Sequence, residues 1–222
     1  MKSFGGERLR ESFIGPIGVL GDRRHAVIGE DGGALSARRH SALLGFHARH
    51  RGGDADAHLE IRDPAGTVFA PDDPALSRAL SAAVGRPASM ARSAGAVHDA
   101  APLHLVTTAS LATMAEWVGD PELDRRRFRA NVVVEADDDE PFAEAGWVGR
   151  RFELGPGGPV IEIVSPTERC AVTTFDPDTL ERNTDVLANI ASRRENLFGV
   201  YAGVVRPGWA RVGAPVLDAP ES

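Results

Sequence analysis

The sequence predicts an α+β protein that is mostly β, with a β-barrel-like core and a few peripheral helices. The chain has 24 Gly and 15 Pro among 222 residues, and this many turn-forming residues favours numerous short strands over a helical bundle. Three segments have the apolar spacing or capping residues of a helix, and short apolar runs lie between the turns. Strands and helices do not alternate regularly, which argues against a doubly wound parallel sheet.

The first half of the chain is predicted to contain short strands and one helix. Residues 25–28, the turn at 29–33 and residues 34–36 form a hairpin pattern. A helix is expected to begin at Asp73-Pro74, because Asp is a favoured N-cap and Pro fits the first helical position. Its apolar stripe and its end are predicted from Leu76, Leu80, Val84 and the terminating Gly85.

Residues 86–101 are rich in Ala, Gly, Ser and Pro, and they are interpreted as a connection between two halves of the protein. The second half is predicted to contain several strands and two helices, one capped by Thr107 or Thr108 and one by Asn183 or Thr184. The expected strands cover residues 103–106, 131–135, 149–154, 160–164, 168–174 (as strand or extended loop), 197–205 and 209–216. We therefore expect two domains, residues 1–100 and 101–217, packed as one unit.

Composition narrows the class of function. The formal net charge of −7 argues against a general nucleic-acid binder, which needs a basic excess to neutralise phosphates. No apolar run reaches the roughly 18 residues of a membrane span, and the first residues have no apolar signal-peptide region. The predicted location is therefore the cytoplasm, without a membrane or nucleic-acid partner.

Cys170 is the only cysteine. A single thiol excludes an intrachain disulfide and a metal cluster held by cysteines of this chain alone. An isolated Cys is most often a small buried hydrophobic residue, but the neighbouring Arg169 favours the thiolate that attacks or binds metal. A soft thiolate suits molybdenum, a persulfide or a disulfide partner, and spacing alone does not choose among them.

Other candidate groups carry weaker signals. His47, His50 and His58 lie close together in sequence but lack a metal-ligand spacing, so a solvated strand and loop is the favoured interpretation. The Arg pairs and the Arg-rich stretch at 125–129 suit either a phosphorylated ligand or surface ion pairs. The sequence contains no nucleophile-elbow, P-loop or dinucleotide motif.

Seven segments, in order from residue 2 to residue 216, together resemble the motifs of the MOSC family, which is named after the C-terminal domain of molybdenum cofactor sulfurase. The strongest is Arg169-Cys170-Ala171-Val172-Thr173-Thr174-Phe175-Asp176-Pro177-Asp178-Thr179, which is similar to the family pattern R-C-x-x-T-T-x-D-P-D-T-G. The other segments are Lys2-Ser3 followed by Gly5-Gly6-Glu7, Gly18-Val19-Leu20-Gly21-Asp22-Arg23-Arg24, Leu35-Ser36-Ala37-Arg38, Arg127-Phe128-Arg129-Ala130-Asn131-Val132-Val133-Val134, Asn196-Leu197-Phe198-Gly199-Val200-Tyr201 and Arg211-Val212-Gly213-Ala214-Pro215-Val216.

The resemblance implies a β-barrel core and a site for the molybdenum cofactor (molybdenum bound to molybdopterin). It implies that Cys170 is the metal ligand and the catalytic residue. It also implies that the pterin and its phosphate are held by Lys2, Ser3, Arg23, Arg38, Thr107, Arg129 and Asn131. The chain departs from the family pattern at three positions, where Ala130 replaces Pro, Leu180 replaces Gly and Glu168 precedes the Arg-Cys pair.

The branch of the family that resembles the amidoxime-reducing component implies an oxidoreductase acting on N-hydroxylated small molecules. Because this chain has no flavin or haem motif, its electrons would come from a separate donor protein. One alternative is a sulfur carrier that receives sulfur from a donor as a Cys170 persulfide, for cofactor or metal–sulfur cluster assembly. Another is a cofactor carrier without catalysis. The number of Lys, Arg and Asn side chains exceeds what a persulfide needs and favours the enzyme.

Overall fold

The computed structural model describes residues 1–50, 59–93, 95–135 and 140–220. It contains three α-helices among these residues, α1 (Pro74–Val84), α2 (Thr108–Val118) and α3 (Asp185–Arg194). The strands, in chain order, are β1 (Glu11–Gly15), β2 (Gly18–Val19), β3 (His25–Gly29), β4 (His47–His50), β5 (Leu59–Arg62), β6 (Val68–Phe69), β7 (Ala88–Arg92), β8 (Leu103–Thr107), β9 (Val132–Val134), β10 (Arg151–Leu154), β11 (Val160–Glu168), β12 (Leu197–Arg206), β13 (Gly208–Arg211) and β14 (Val216–Asp218).

The chain divides into two compact units. Unit 1 consists of residues 1–8, 21–98 and 177–181, and unit 2 consists of residues 9–20, 99–176 and 182–222. Each unit therefore includes at least one short segment that is distant in sequence from its main part. The predicted division into domains at residues 1–100 and 101–217 stays a prediction.

Unit 1 contains two small antiparallel sheets and helix α1. Strands β3 and β7 form one sheet, and β4, β5 and β6 form the other. The predicted hairpin at 25–36 is reduced to the isolated bridge between Ile28 and Ala34, because β3 takes β7 as its main partner. The core of this unit includes the fully buried Phe4, Phe46, Leu43, Ile61, Leu76 and Leu80.

Helix α1 begins and ends where the sequence predicts. The carboxylate of Asp73 accepts a hydrogen bond from the Ala75 amide at 2.7 Å, with Pro74 at the first helical position. Gly85 ends the helix in the left-handed conformation (φ 72°), which a residue without Cβ adopts at little cost.

Unit 2 is built around a six-stranded sheet in the order β14-β10-β11-β12-β8-β9, which curls into half of a barrel. Its pairings are antiparallel except for β8 with β9. A second sheet joins β13, β1 and β2, so the early strand β1 belongs to this unit. Mostly β structure with three peripheral helices confirms the predicted fold class.

The curled sheet is covered by two apolar clusters of unit 2. One cluster contains Leu103, Leu105, Ile161, Ile163, Val200 and Ala202, together with Ile14 from β1. The other contains Val106, Met114, Phe128, Val186, Ile190 and Phe198, which come from the sheet, α2, α3 and the turn before β9. Within the described ranges, no helix is long and apolar enough to cross a membrane.

Two segments differ from the sequence predictions. Residues 86–101, interpreted as a connection, contain β7, whose few large apolar side chains hide the strand pattern. Residues 168–174 were expected to be extended, but β11 ends at Glu168 and a 3-10 turn follows at Ala171–Thr174. The hydroxyls of Thr173 and Thr174 donate back to the carbonyls of Cys170 (3.0 Å) and Ala171 (2.7 Å), and such local bonds compete with a strand.

Candidate functional site

Cys170 lies between the end of β11 and the 3-10 turn of residues 171–174. Its backbone is extended (φ −133°), and its carbonyl accepts the Thr173 amide at 3.1 Å. The thiol is free and half-buried. Cys170 is therefore held at a defined place on unit 2 and is not a fully buried core residue.

Arg169, next to Cys170, directs its guanidinium into the protein. Its Nη2 donates to the carbonyl of Phe128 at 2.7 Å, and its Nη1 lies 3.3 Å from Nε2 of His104. Burial lowers the pKa of Arg169 to about 10, and electrostatic interactions with Tyr201, Cys170 and Asp99 act in the opposite direction. The guanidinium stays protonated at neutral pH and ties the Cys170 segment to the carbonyl before Arg129.

Arg129 and Asn131 lie on the segment that leads into β9. Arg129 follows the 3-10 turn Arg125–Phe128, and it is half-buried with a left-handed backbone (φ 56°). The side-chain oxygen of Asn131 accepts the backbone amide of His104 at 3.0 Å, and the Asn131 amide donates to the His104 carbonyl at 2.8 Å. The Asn131 side chain is therefore held against the backbone of β8.

Arg127 has a structural position. Its side chain is 7% exposed and pairs with Asp176 at 2.9 Å, while its Nη1 donates to the Thr174 carbonyl at 3.1 Å. These bonds tie the 3-10 turn that follows Cys170 to the 3-10 turn that precedes Arg129. Of the arginines in the predicted 125–129 stretch, Arg127 is thus committed to internal contacts.

Thr107 caps α2. Its hydroxyl oxygen accepts the Ser110 amide at 3.1 Å, and the Thr107 and Ser110 hydroxyls donate to the same carboxylate oxygen of Glu144 at 3.1 and 2.8 Å. Thr107 is fully buried. Its hydroxyl is already engaged in this network, and its role as a cofactor contact stays a prediction.

The remaining candidates, Lys2, Ser3, Arg23 and Arg38, lie in unit 1. The Lys2 amide donates to the carbonyl of His25 at 3.0 Å. The Ser3 hydroxyl accepts the amide of Ala37 at 2.9 Å, next to Arg38, whose side chain is exposed. Arg23 is 18% exposed and pairs with Asp22 at 2.8 Å. Unit 1 thus brings its first residues alongside two segments that lie some 20 to 35 residues further along the chain.

Three of the predicted cofactor residues have positive φ angles, namely Ser3 (68°), Arg23 (52°) and Arg129 (56°). Non-glycine residues seldom adopt this conformation, and where they do, the strain often marks a functional position. Four other non-glycine residues share this feature, namely Phe142, Leu180, Glu195 and Asn196. Positive φ therefore does not select the three positions, and their roles stay predictions.

Sequence reasoning missed His104 and Glu144. Both are buried, with 4% and 1% exposure, and both bond to predicted site residues. No local motif marks either one. Among the described residues no group of three or more His, Cys, Asp or Glu side chains is placed to hold a metal ion, and His58 lies outside those residues.

The MOSC domain family model matches residues 92–217, more than half of the chain. The chain belongs to the MOSC family. The match includes Cys170, Arg129, Asn131 and Thr107 but not the four candidates of unit 1. At residue 180, where the family pattern has Gly, this MOSC protein has Leu in the left-handed conformation (φ 61°).

Among similar proteins are mitochondrial amidoxime reducing component 2 of Macaca fascicularis and component 1 of Homo sapiens. The first is 34% identical over 131 residues, covering 53% of this chain and 37% of that protein. The second is 30% identical over 134 residues, covering 54% and 38%. Molybdenum cofactor sulfurase of Bos taurus is 32% identical over 98 residues, which cover 41% of this chain and 10% of that protein. The matched segment thus spans well under half of the length of each of these three proteins.

Similar solved structures include the YUAD protein of Bacillus subtilis and YiiM of Geobacillus stearothermophilus. The former has a TM-score of 0.45 at 15% identity and covers 90% of this chain and 96% of that one. The latter has a TM-score of 0.41 at 17% identity and covers 54% and 55%.

Proposed function

We propose that this MOSC protein binds the molybdenum cofactor with Cys170 as the protein ligand of the metal, and that it reduces N-hydroxylated compounds. The observation that carries the proposal is the half-buried, free thiol of Cys170, which lies between the end of a strand and a turn fixed by internal bonds. The similarity to molybdenum cofactor sulfurase supports the cofactor, and the similarity to amidoxime reducing components supports the reduction of N-hydroxylated compounds.

The residues present fit this cofactor by their chemistry. A thiolate is a soft ligand of the kind that molybdenum takes, and guanidinium groups fork onto phosphate oxygens. The buried Nε–H of Arg169 has no hydrogen-bond partner among the described residues, so the neighbourhood of Cys170 has donor capacity to spare. The cofactor supplies, when bound, the two-electron chemistry that removes oxygen from the substrate.

This chain's own residues would have two tasks in the proposed reaction. Cys170 would anchor the metal, and Arg129 and Asn131 would help to hold the pterin and its phosphate. The roles of Lys2, Ser3, Arg23 and Arg38 toward the same groups stay predictions. In the overall reaction the N–O bond of a hydroxylamine or amidoxime breaks, an N–H bond forms and water leaves. Two protons and two electrons are consumed, and the electrons would come from a separate donor protein.

The test is to purify the protein from cells that make the cofactor and to measure molybdenum and released pterin per chain. The reduction of a simple amidoxime with an artificial reductant is then measured for the same samples. We expect close to stoichiometric metal and pterin, together with molybdenum-dependent reduction. A protein that carries cofactor but reduces nothing would indicate a carrier.

The second candidate function is a sulfur carrier, which is favoured by the half-buried position of the free Cys170. In that case the Cys170 thiolate would take the outer sulfur of a donor persulfide, releasing the donor as a thiol. It would then pass that sulfur to a cofactor or a metal–sulfur cluster. Persulfide labelling at Cys170 without tightly bound molybdenum would select this function over the enzyme.

A further inference from the structure

We propose that His104 and Arg169 form a brace that joins the residue before Cys170 to the Arg129–Asn131 segment, with His104 as the positioning residue. The brace is the pair of side chains His104 and Arg169 with the bonds that they and the adjoining backbone make. Its effect on cofactor retention rests on the function proposed above, whereas its hydrogen bonds do not depend on a bound cofactor.

The brace closes a ring of hydrogen bonds. Arg169 donates to the carbonyl of Phe128 at 2.7 Å and lies 3.3 Å from Nε2 of His104. His104, in turn, is bonded through its backbone amide to the Asn131 side chain at 3.0 Å and through its carbonyl to the Asn131 amide at 2.8 Å. The segment 128–131 is thus held at both ends, and both attachments lead back to the residue that precedes Cys170.

The hydrogen-bond donors of Arg169 determine the protonation state of the His104 ring. A guanidinium has only donors, so Nε2 of His104 accepts the bond from Arg169 and carries no proton. The ring is therefore neutral, with its proton on Nδ1. A charged ring would place two donors and two positive charges against each other in a buried position.

The neighbouring strand makes room for this ring. His104 is 4% exposed, and its ring lies 5.8 Å from that of Tyr201, centroid to centroid. Gly199 of β12 has φ 77°, and a Cβ at this position would collide with Nε2 of His104 and would come within 2.6 Å of the Leu105 carbonyl. A glycine inside a strand often allows such a close approach, and here it clears the space for the atom that accepts from Arg169.

Arginine is the residue type that this position requires. Its planar fork places two nitrogens on two acceptors at once, on the Phe128 carbonyl and on the imidazole, whereas lysine offers a single ammonium. The buried charge therefore serves as a link between two segments.

The first part of the experiment uses the cofactor-free full chain. The ¹⁵N chemical shifts of the His104 ring are measured in the wild type and in Arg169→Lys. We expect an unprotonated Nε2 and a protonated Nδ1 in the wild type, with a changed Nε2 shift in the variant. A wild-type ring that is protonated on Nε2 would overturn the proposal, whether or not the protein binds cofactor.

The second part compares His104→Leu, His104→Gln and Leu105→Ala. Gln places an amide oxygen close to the position of Nε2 and can accept from Arg169, whereas Leu cannot. Leu105 is 1% exposed and packs in the neighbouring cluster without contacting the brace through a side-chain hydrogen bond, so its truncation controls for general loss of packing.

Hydrogen exchange at residues 129–131, relative to the rest of the sheet, should be at least tenfold faster in His104→Leu and near wild type in His104→Gln and Leu105→Ala. Retention of molybdenum and pterin during gel filtration should follow the same order. If Gln fails to rescue, or if Leu105→Ala gives the same local effect, His104 is merely a core residue and the proposal fails. If no variant and no wild type holds cofactor, the proposed function fails while the exchange data still decide the brace.

Discussion

The left-handed backbone of Arg129 allows its two roles, in the fold and in the site, to be separated by a pair of substitutions. Arg129→Ala and Arg129→Gly both remove the guanidinium, but only Gly relieves the strain at φ 56°. A non-glycine residue in this region costs about 1–2 kcal/mol, and glycine gives back about 0.5–1 kcal/mol through the greater freedom of the unfolded chain. We therefore expect the Gly variant to be more stable than the Ala variant by about 0.5–1 kcal/mol.

For a chain of this length that difference corresponds to roughly 1–4 °C in melting temperature. Urea unfolding and calorimetry of the cofactor-free variants measure it. An Ala variant as stable as the Gly variant, or more stable, would refute the reasoning about the backbone.

Arg129→Ala and Arg129→Gly should lose cofactor to the same extent, because both remove the guanidinium. Removing a charge-assisted hydrogen bond costs about 1.5–3 kcal/mol, which corresponds to roughly 10- to 150-fold weaker retention. Arg125→Ala is the matched control, because Arg125 is exposed on the 3-10 turn that precedes Arg129, and this variant should retain cofactor like the wild type. Equal retention by Arg125→Ala and Arg129→Ala would remove Arg129 from the site.

Three further predictions concern the frame around the site. Asp176→Ala should lower the free energy of unfolding by about 3 kcal/mol, because it leaves the Arg127 side chain, which is 7% exposed, without its carboxylate partner. A decrease of less than about 0.5 kcal/mol in urea titrations would contradict this prediction. A fragment of residues 100–222 should be poorly folded, as measured by circular dichroism, because it lacks β1, which pairs with β13 and whose buried Ile14 packs in the unit 2 core. A fragment that unfolds cooperatively would show that β1 is dispensable. Thr107→Ala should lower the free energy of unfolding by about 1 kcal/mol through loss of the α2 cap, whereas Thr107→Ser should keep most of the wild-type stability. Equal melting temperatures for the two variants would argue against the cap.

Local signals made α1 predictable from the sequence. Its N-cap, its Pro and its terminal Gly are neighbours in the chain, and the structure places them as predicted. Strand β7 was missed because its pairing with β3 joins residues about 60 positions apart or more, from Gly29 with Ala88 to His25 with Arg92, and because its own composition resembles a loop. The turn after Cys170 was missed because the hydroxyls of Thr173 and Thr174 bond to nearby carbonyls in a way that β propensity does not reveal.

The sequence likewise predicted only part of the candidate site. The order of the motifs predicted the family and pointed to Cys170, but the partners of Arg169 depend on how β8, β9 and β11 meet in the sheet. His104 has no motif of its own, so its contact with Arg169 became visible only in the structure. A signal was nevertheless present at Gly199, since a glycine within an apolar strand indicates that another group approaches the backbone closely.

The bond between molybdenum and the sulfur of Cys170 is the central claim, and X-ray absorption at the molybdenum edge tests it most directly. The samples are the wild type and Cys170→Ser, both purified from cells that make the cofactor and both checked for unchanged melting temperature without cofactor. We predict that the metal in the wild type has one more sulfur neighbour than the metal that remains in Cys170→Ser, because a hydroxyl is a harder and weaker ligand than a thiolate. Identical sulfur coordination in the two proteins would contradict the assignment of Cys170 as the metal ligand.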